Sequence, residues 1–236
     1  EHEYINVAKL KTHIQTTVSL CTKNQKGLVD FSGRRIMHTK GDLHENIKLL
    51  ARIVKPDFCV IDGINALEGN GPGLGGVEIK DFNIVILGES MEAVDWVGSQ
   101  LMGIEPATVR HLLMPPEEIN IIGESIIGTR KKFILPKGHI QMFNIHYWFT
   151  DKTCSGCSEV MGEMKRSLIK SPVRLSRFLY QAFFSRIDFL TGDADFPLKH
   201  GKIICLGNCM KEKARLNNLS IAKGCPPDSS DVLPLL

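Results

Sequence analysis

From Glu3 to about Leu113, apolar runs of strand length alternate with segments whose apolar residues recur at helical period, which restricts the chain to an α/β layering. Tyr4 to Ala8, Phe58 to Asp62 and Asn83 to Leu87 are short apolar runs bounded by polar or glycine residues and read as strands. Between the first two, Asp42 can cap a helix in which Leu43, Ile47, Leu50, Ala51 and Val54 form one apolar stripe, ended by Pro56. Ser90 can cap a second helix carrying Ala93, Val94, Val97 and Leu101, closed by Gly103. Strand, helix, strand and helix in this order predict a mostly parallel sheet flanked by helices, with right-handed crossovers. Beyond the Pro115-Pro116 break come two more apolar stretches, Ile119 to Ile122 and Phe133 to Leu135. A smaller, cysteine-rich metal-binding region then opens near Thr150, so the expected division is residues 1–149 and 150–236.

An apolar fraction of 43% over 236 residues suits a chain with a sizeable core. A formal charge of +3, with no run of five or six like charges, argues against a nucleic-acid partner and leaves small anionic ligands open. No stretch approaches eighteen uninterrupted apolar residues, so no membrane span is expected. The sequence begins at Glu1 inside what reads as a strand, and a further upstream region is expected.

Seven cysteines fall at 21, 59, 154, 157, 205, 209 and 225, five of them in the last 83 residues. An odd, clustered set favours metal over disulfides and points to a reducing, cytoplasmic and anaerobic setting. Cys154 and Cys157 form CSGC, whose two-residue spacer lets both thiolates turn toward one centre, and Cys209 and Cys225 each stand beside glycine, in LGNCM and KGCPPDS. Four thiolates complete a four-iron, four-sulfur cluster or a structural zinc site. One CxxC pair completed by two distant single cysteines departs from the paired CxxC of a zinc ribbon and favours the cluster. Five buried free cysteines without metal is the remaining reading. GCPP also resembles the segment in the small subunits of NADH-quinone oxidoreductase and related hydrogenases whose cysteine ligates a four-iron cluster. Cys205, in the apolar run IICL, competes with Cys209 for the third position but is expected to be buried and structural. Pro172 to Leu190 reads as a helix rich in Leu, Phe and Tyr with Arg174, Arg177 and Arg186 interspersed. Because its aromatic residues occupy more than one face, a core helix beside the metal site is expected; an amphipathic helix lying on a membrane surface has the same pattern.

The segment after the first strand is rich in groups that contact anions or metals: Lys11, His13, Lys23, Asn24, His38 and His44. A strand ending at Ala8 would deliver Lys11 and His13 to the C-terminal edge of the sheet, where α/β proteins bind ligands; a solvated basic loop is the alternative. The run DGINALEGNGPGLGG follows the second strand, and Gly71 and Gly73 can bring backbone close to a ligand, although the order of glycines is neither a Walker loop nor a dinucleotide fingerprint. Asp62 and Glu68 are its candidates for metal binding or proton transfer.

KLKTHIQTTVSLCTKNQKGLV, MHTKGDLHENI, PDFCVIDGINALEGNGP and VILGESMEAVDWVGSQLMGI, over roughly residues 4 to 113, resemble successive blocks of the bacterial and archaeal domain of unknown function family 362. That resemblance implies iron-sulfur cysteine motifs, common among its members, and a region upstream of this chain; it implies no particular reaction. A more distant similarity is to nickel-pincer lactate racemase, in which a histidine, a lysine ten residues on and a second histidine about sixteen beyond surround cofactor and substrate. Here His13, Lys23 and His38 follow at intervals of ten and fifteen. The reading that unites these features is an iron-sulfur oxidoreductase acting on a small anionic substrate or cofactor, with His13, Lys23 and His44 as catalytic candidates and a redox partner protein. A non-enzymatic electron-transfer or interaction module is one alternative. A racemase-like cofactor-dependent enzyme with a structural metal is the other.

Overall fold

A computed structural model describes residues 3–71, 76–150, 152–195 and 201–236. The chain divides into two compact units, Glu1–Lys137 and Gly138–Leu236. The division falls ahead of the expected position near 150, because the hairpin that precedes Thr150 pairs into the second unit's sheet.

In the first unit, β1 (Ile5–His13) and β2 (Thr17–Ser19) precede three helices, α1 (Cys21–Asn24), α2 (Phe31–Thr39) and α3 (Leu43–Ile53). There follow β3 (Phe58–Gly69), β4 (Gly76–Ile79), β5 (Ile84–Gly88), α4 (Met91–Leu101) and the short α5 (Ile126–Thr129). The expected caps are in place: the Asp42 carboxylate accepts from the His44 and Glu45 N–H groups, and the Ser90 side chain accepts from Ala93 N–H. The sheet runs β2-β1-β3-β4, with β5 also paired to β3. Only β1 and β3 are parallel; the other three pairings are antiparallel, so the expected mostly parallel sheet is not what forms here. The reason lies in β3. It continues past Asp62 to Gly69, through residues expected to be loop, and is long enough for β4 to fold back on its second half and β5 on its first. Both returns are short, six residues from Gly69 to Gly76 and four from Ile79 to Ile84, and a short connection joins antiparallel neighbours. Helices intervene only between β1/β2 and β3, and there the pairing is parallel. One sheet face buries Ala8, Leu10, Cys59 and Ile61 in a core shared with Met91 and Val94. On β1 and β5, Ile5, Val7, Val85 and Leu87 are exposed.

The second unit holds a sheet in the order β10-β9-β8-β7-β6. β6 (His139–Met142) and β7 (Ile145–Trp148) form an antiparallel hairpin, while β7, β8 (Ile187–Leu190), β9 (Lys202–Leu206) and β10 (Ser220–Ala222) are mutually parallel. α6 (Ser155–Ile169) and α7 (Pro172–Phe184) connect β7 to β8; α8 (Lys211–Leu216) connects β9 to β10, and α9 (Ser229–Val232) follows. The helix expected to run to Leu190 stops at Phe184, because Ile187–Leu190 is a central strand buried at every position, as a doubly covered parallel strand is. Among the described residues no helix is long and apolar enough to cross a membrane.

Candidate functional site

Cys154, Cys157, Cys209 and Cys225 all lie in segments that follow the C-terminal ends of parallel strands, the first two after β7, Cys209 after β9 and Cys225 after β10. That edge of a parallel sheet is where α/β proteins place ligands. Cys154 is the N-cap of α6 and Cys157 lies in its first turn, with the two sulfurs 3.9 Å apart. Gly207, at φ 90°, ends β9; a Cβ there would stand 3.2 Å from Cys157 Sγ and 3.5 Å from Cys209 Sγ, so both thiols face the space that this glycine leaves open. The segment of Cys225 is tied to that of Cys209 by two hydrogen bonds between Asn208 and Gly224, Asn208 N–H to Gly224 O at 2.8 Å and Gly224 N–H to the Asn208 side-chain Oδ1 at 3.0 Å. The Pro226 ring of the same loop packs on Gly156, within 3.0 Å of where a Cβ would be.

The four thiols act on one another electrostatically: Cys157 is pushed up by the Cys154 hydrogen bond, by burial and by the charges of Cys154, Cys209 and Cys225. Cys154 is held down to about 5 by the same hydrogen bond, helped by the Cys157 and Gly156 N–H groups at the helix start. Together they make one ready thiolate beside thiols that a metal would deprotonate. Among the described residues no three His, Cys, Asp or Glu side chains close tightly enough for a single metal ion. None of the seven cysteines is in a disulfide, and Cys205 lies fully buried in β9 within an apolar cluster, where burial pushes its thiol up to about 11.

The first unit gathers a second set of groups. Lys23, from α1, is half-buried, and its ammonium has no hydrogen-bond or ion-pair partner among the described residues. Burial, with the like charges of Lys26 and Lys11, lowers it to about 7. His13, at the end of β1, accepts the Gln15 N–H at Nδ1 (3.1 Å), and burial together with Lys23 and Lys11 pushes it down to about 2. It is therefore a neutral imidazole that does not titrate near neutrality, and the group poised to exchange a proton there is Lys23. His38, from α2, meets Lys26 Nζ through Nε2. His44, from α3, lies 5.7 Å from the ring of His111, and its Nδ1 is buried without a hydrogen-bond partner among the described residues. His111 is fully buried, and neither ring nitrogen is hydrogen-bonded among the described residues; burial, His44 and Lys23 lower it to about 3. In the sequence His111 stands between Arg110 and Leu112, and no local pattern distinguishes it from a core histidine.

The other expected contacts are engaged elsewhere. Asn24 donates to Asn6 Oδ1 and to Val7 O, pinning α1 to β1. Asp62 is on β3, paired with Lys9 at 2.9 Å, and Glu68 accepts Ile134 N–H. Gly71 lies against Leu67, where a Cβ would come within 2.6 Å of Cδ2. Gly73 lies outside the described residues. Lys11 joins the cationic set by its effect on His13 and Lys23.

Residues 3–100 match the model of the family described as Domain of unknown function (DUF362). The Thylakoid-associated protein sll1697 of Synechocystis sp. is 30% identical over 110 residues, which are 44% of this chain and 34% of that protein. The chain thus matches about a third of that relative's length. No solved structure matches it.

Proposed function

We propose that this chain, whose first part carries a DUF362 domain, is an iron-sulfur protein with redox activity toward a small anionic substrate or cofactor. The observation that carries the reading is the meeting of Cys154, Cys157, Cys209 and Cys225 on the C-terminal edge of one parallel sheet. Four thiolates are the usual ligand set of a four-iron cluster, and structural zinc can take the same set. When bound, it supplies one-electron transfer. The chain's own residues supply the rest. Cys154, already ionised near neutrality, offers the first ligand, and the Gly207 and Gly224 turns hold the other thiols toward the same space.

In the first unit, Lys23 is the charge that would hold an anion, and the imidazoles of His13, His44 and His111 can donate neutral N–H groups around it. An anion bound there raises Lys23 from about 7, so binding takes up a proton near neutral pH. The unmet ring nitrogens of His111 favour a substrate-binding enzyme over a pure electron carrier, since a carrier needs no polar site of this kind.

Anaerobic purification tests the reading. The expected product is brown, absorbs broadly near 400 nm and carries about four irons per chain. Colourless protein with one zinc per chain overturns the redox assignment and leaves the cysteines a structural role.

A further inference from the structure

α7 carries two apolar stripes where a surface helix needs one. Phe178 and Ala182 face the core, whereas Val173, Leu179, Tyr180, Phe183 and Phe184 point outward with 54–77% of their surface exposed. Tyr180 and Phe184 lie with ring centroids 4.7 Å apart, and Phe183 and Phe184 at 5.1 Å, so the outward aromatics form one patch. The tip of the β6–β7 hairpin adds to it. Phe143 occupies this two-residue turn at φ 53°, a left-handed conformation that favours glycine or asparagine, and is 85% exposed. Its neighbour Asn144 donates to Phe183 O at 3.3 Å, fixing the tip beside the end of α7. An aromatic side chain at a strained, solvent-facing turn is not explained by folding.

Along α6 and α7 the charge past Glu163 has one sign. Between Glu163 and Asp188 the chain contains Lys165, Arg166, Lys170, Arg174, Arg177 and Arg186 and no acidic residue. Arg166 and Arg186 pair with Glu159 and Asp188, while Lys165, Lys170, Arg174 and Arg177 are exposed and have no ion-pair partner among the described residues. Arg174 and Arg177 also border a cavity of about 460 Å³ with Phe178 and Gln181.

We infer that this face of the second unit docks on an anionic lipid bilayer, with Phe143, Tyr180, Phe183 and Phe184 entering the interface and Lys165, Lys170, Arg174 and Arg177 meeting lipid phosphates. Outward aromatics flanked by cations are the composition of interfacial helices, and each cation near an anionic surface strengthens attachment. A second copy of the chain is the poorer occupant, because a two-fold interface would set this cationic stretch against itself.

Flotation of the full chain with phosphatidylcholine vesicles, with and without phosphatidylglycerol, tests the inference. The expected result is binding to the phosphatidylglycerol vesicles alone, weakened by salt. Phe183→Ser/Phe184→Ser and Arg174→Glu/Arg177→Glu should each weaken it about tenfold or more while circular dichroism stays unchanged. Should either variant fail to fold, Tyr180→Trp decides instead, its emission moving to the blue on addition of the anionic vesicles. Absence of binding, equal binding to both vesicle types, or binding indifferent to the variants overturns the inference. So does a dimer in solution that Phe183→Ser/Phe184→Ser converts to monomer without any vesicle binding.

Discussion

The cysteine loops of the second unit and the lysine-histidine set of the first are polar sites made by opposite means. At the cysteine loops the backbone does the placing: a helix start, a left-handed glycine and two reciprocal hydrogen bonds bring four thiols to one edge. Three of those thiols belong to residues that stay open to solvent or half open, so little desolvation has to be overcome. In the first unit burial is the dominant influence, and it leaves Lys23, His44 and His111 with polar atoms unmet. A metal at a site of the first kind would cost the fold little, whereas an anion at one of the second would stabilise it by meeting polar atoms that burial leaves unpaired.

Cys157→Ser should reduce bound iron from about four per chain to near zero and remove the visible absorbance. Cys205→Ser should keep the colour and lose about 1–3 kcal/mol in denaturant melts, because it puts a hydroxyl into an apolar cluster. Next in size is Asp95, fully buried, whose carboxylate accepts the Cys21 and Thr22 N–H groups at 2.7 Å each and so orients α1, the helix that carries Lys23. Asp95→Ala orphans both donors and should cost about 3 kcal/mol.

Burial raises Asp95 from 3.8 to about 6, so its contribution to stability is full below 3.8 and lost as pH rises through 6. Asp95→Asn should flatten that part of the stability-pH curve. Lys23→Met should abolish binding of a small carboxylate or phosphate, read by calorimetry, with no loss of melting temperature at pH 6. In the unaltered chain such binding should weaken by up to tenfold per pH unit above about 7, as the ammonium is lost. The smallest effect belongs to His111→Leu, which comes near the volume and removes two unmet nitrogens. It should leave stability equal or higher while weakening the anion.

The same contrast decides what could be read in the sequence. Caps at Asp42 and Ser90, the helices they start and the buried Cys205 strand were legible because each is a local pattern of a few residues. The glycines beside Cys209 and Cys225 are a local pattern of the same kind, and Gly207 and Gly224 take positive φ there. Sheet direction was not, since it turned on how far β3 runs before its partners return. His111 was hidden too: it lies in sequence far from His44 and Lys23, and its significance is its unmet nitrogens, a property of the packed core. The outward aromatics of α7 were visible as a composition, but the residues that cover one of its faces and leave the other bare are elsewhere in the chain.

Because the cysteine loops follow β7, β9 and β10, their thiols can meet only when strands from both ends of the second unit have joined the sheet. A cluster seated there would be inserted late, into an acceptor already built. Chains with β10 undocked would then be left unfilled.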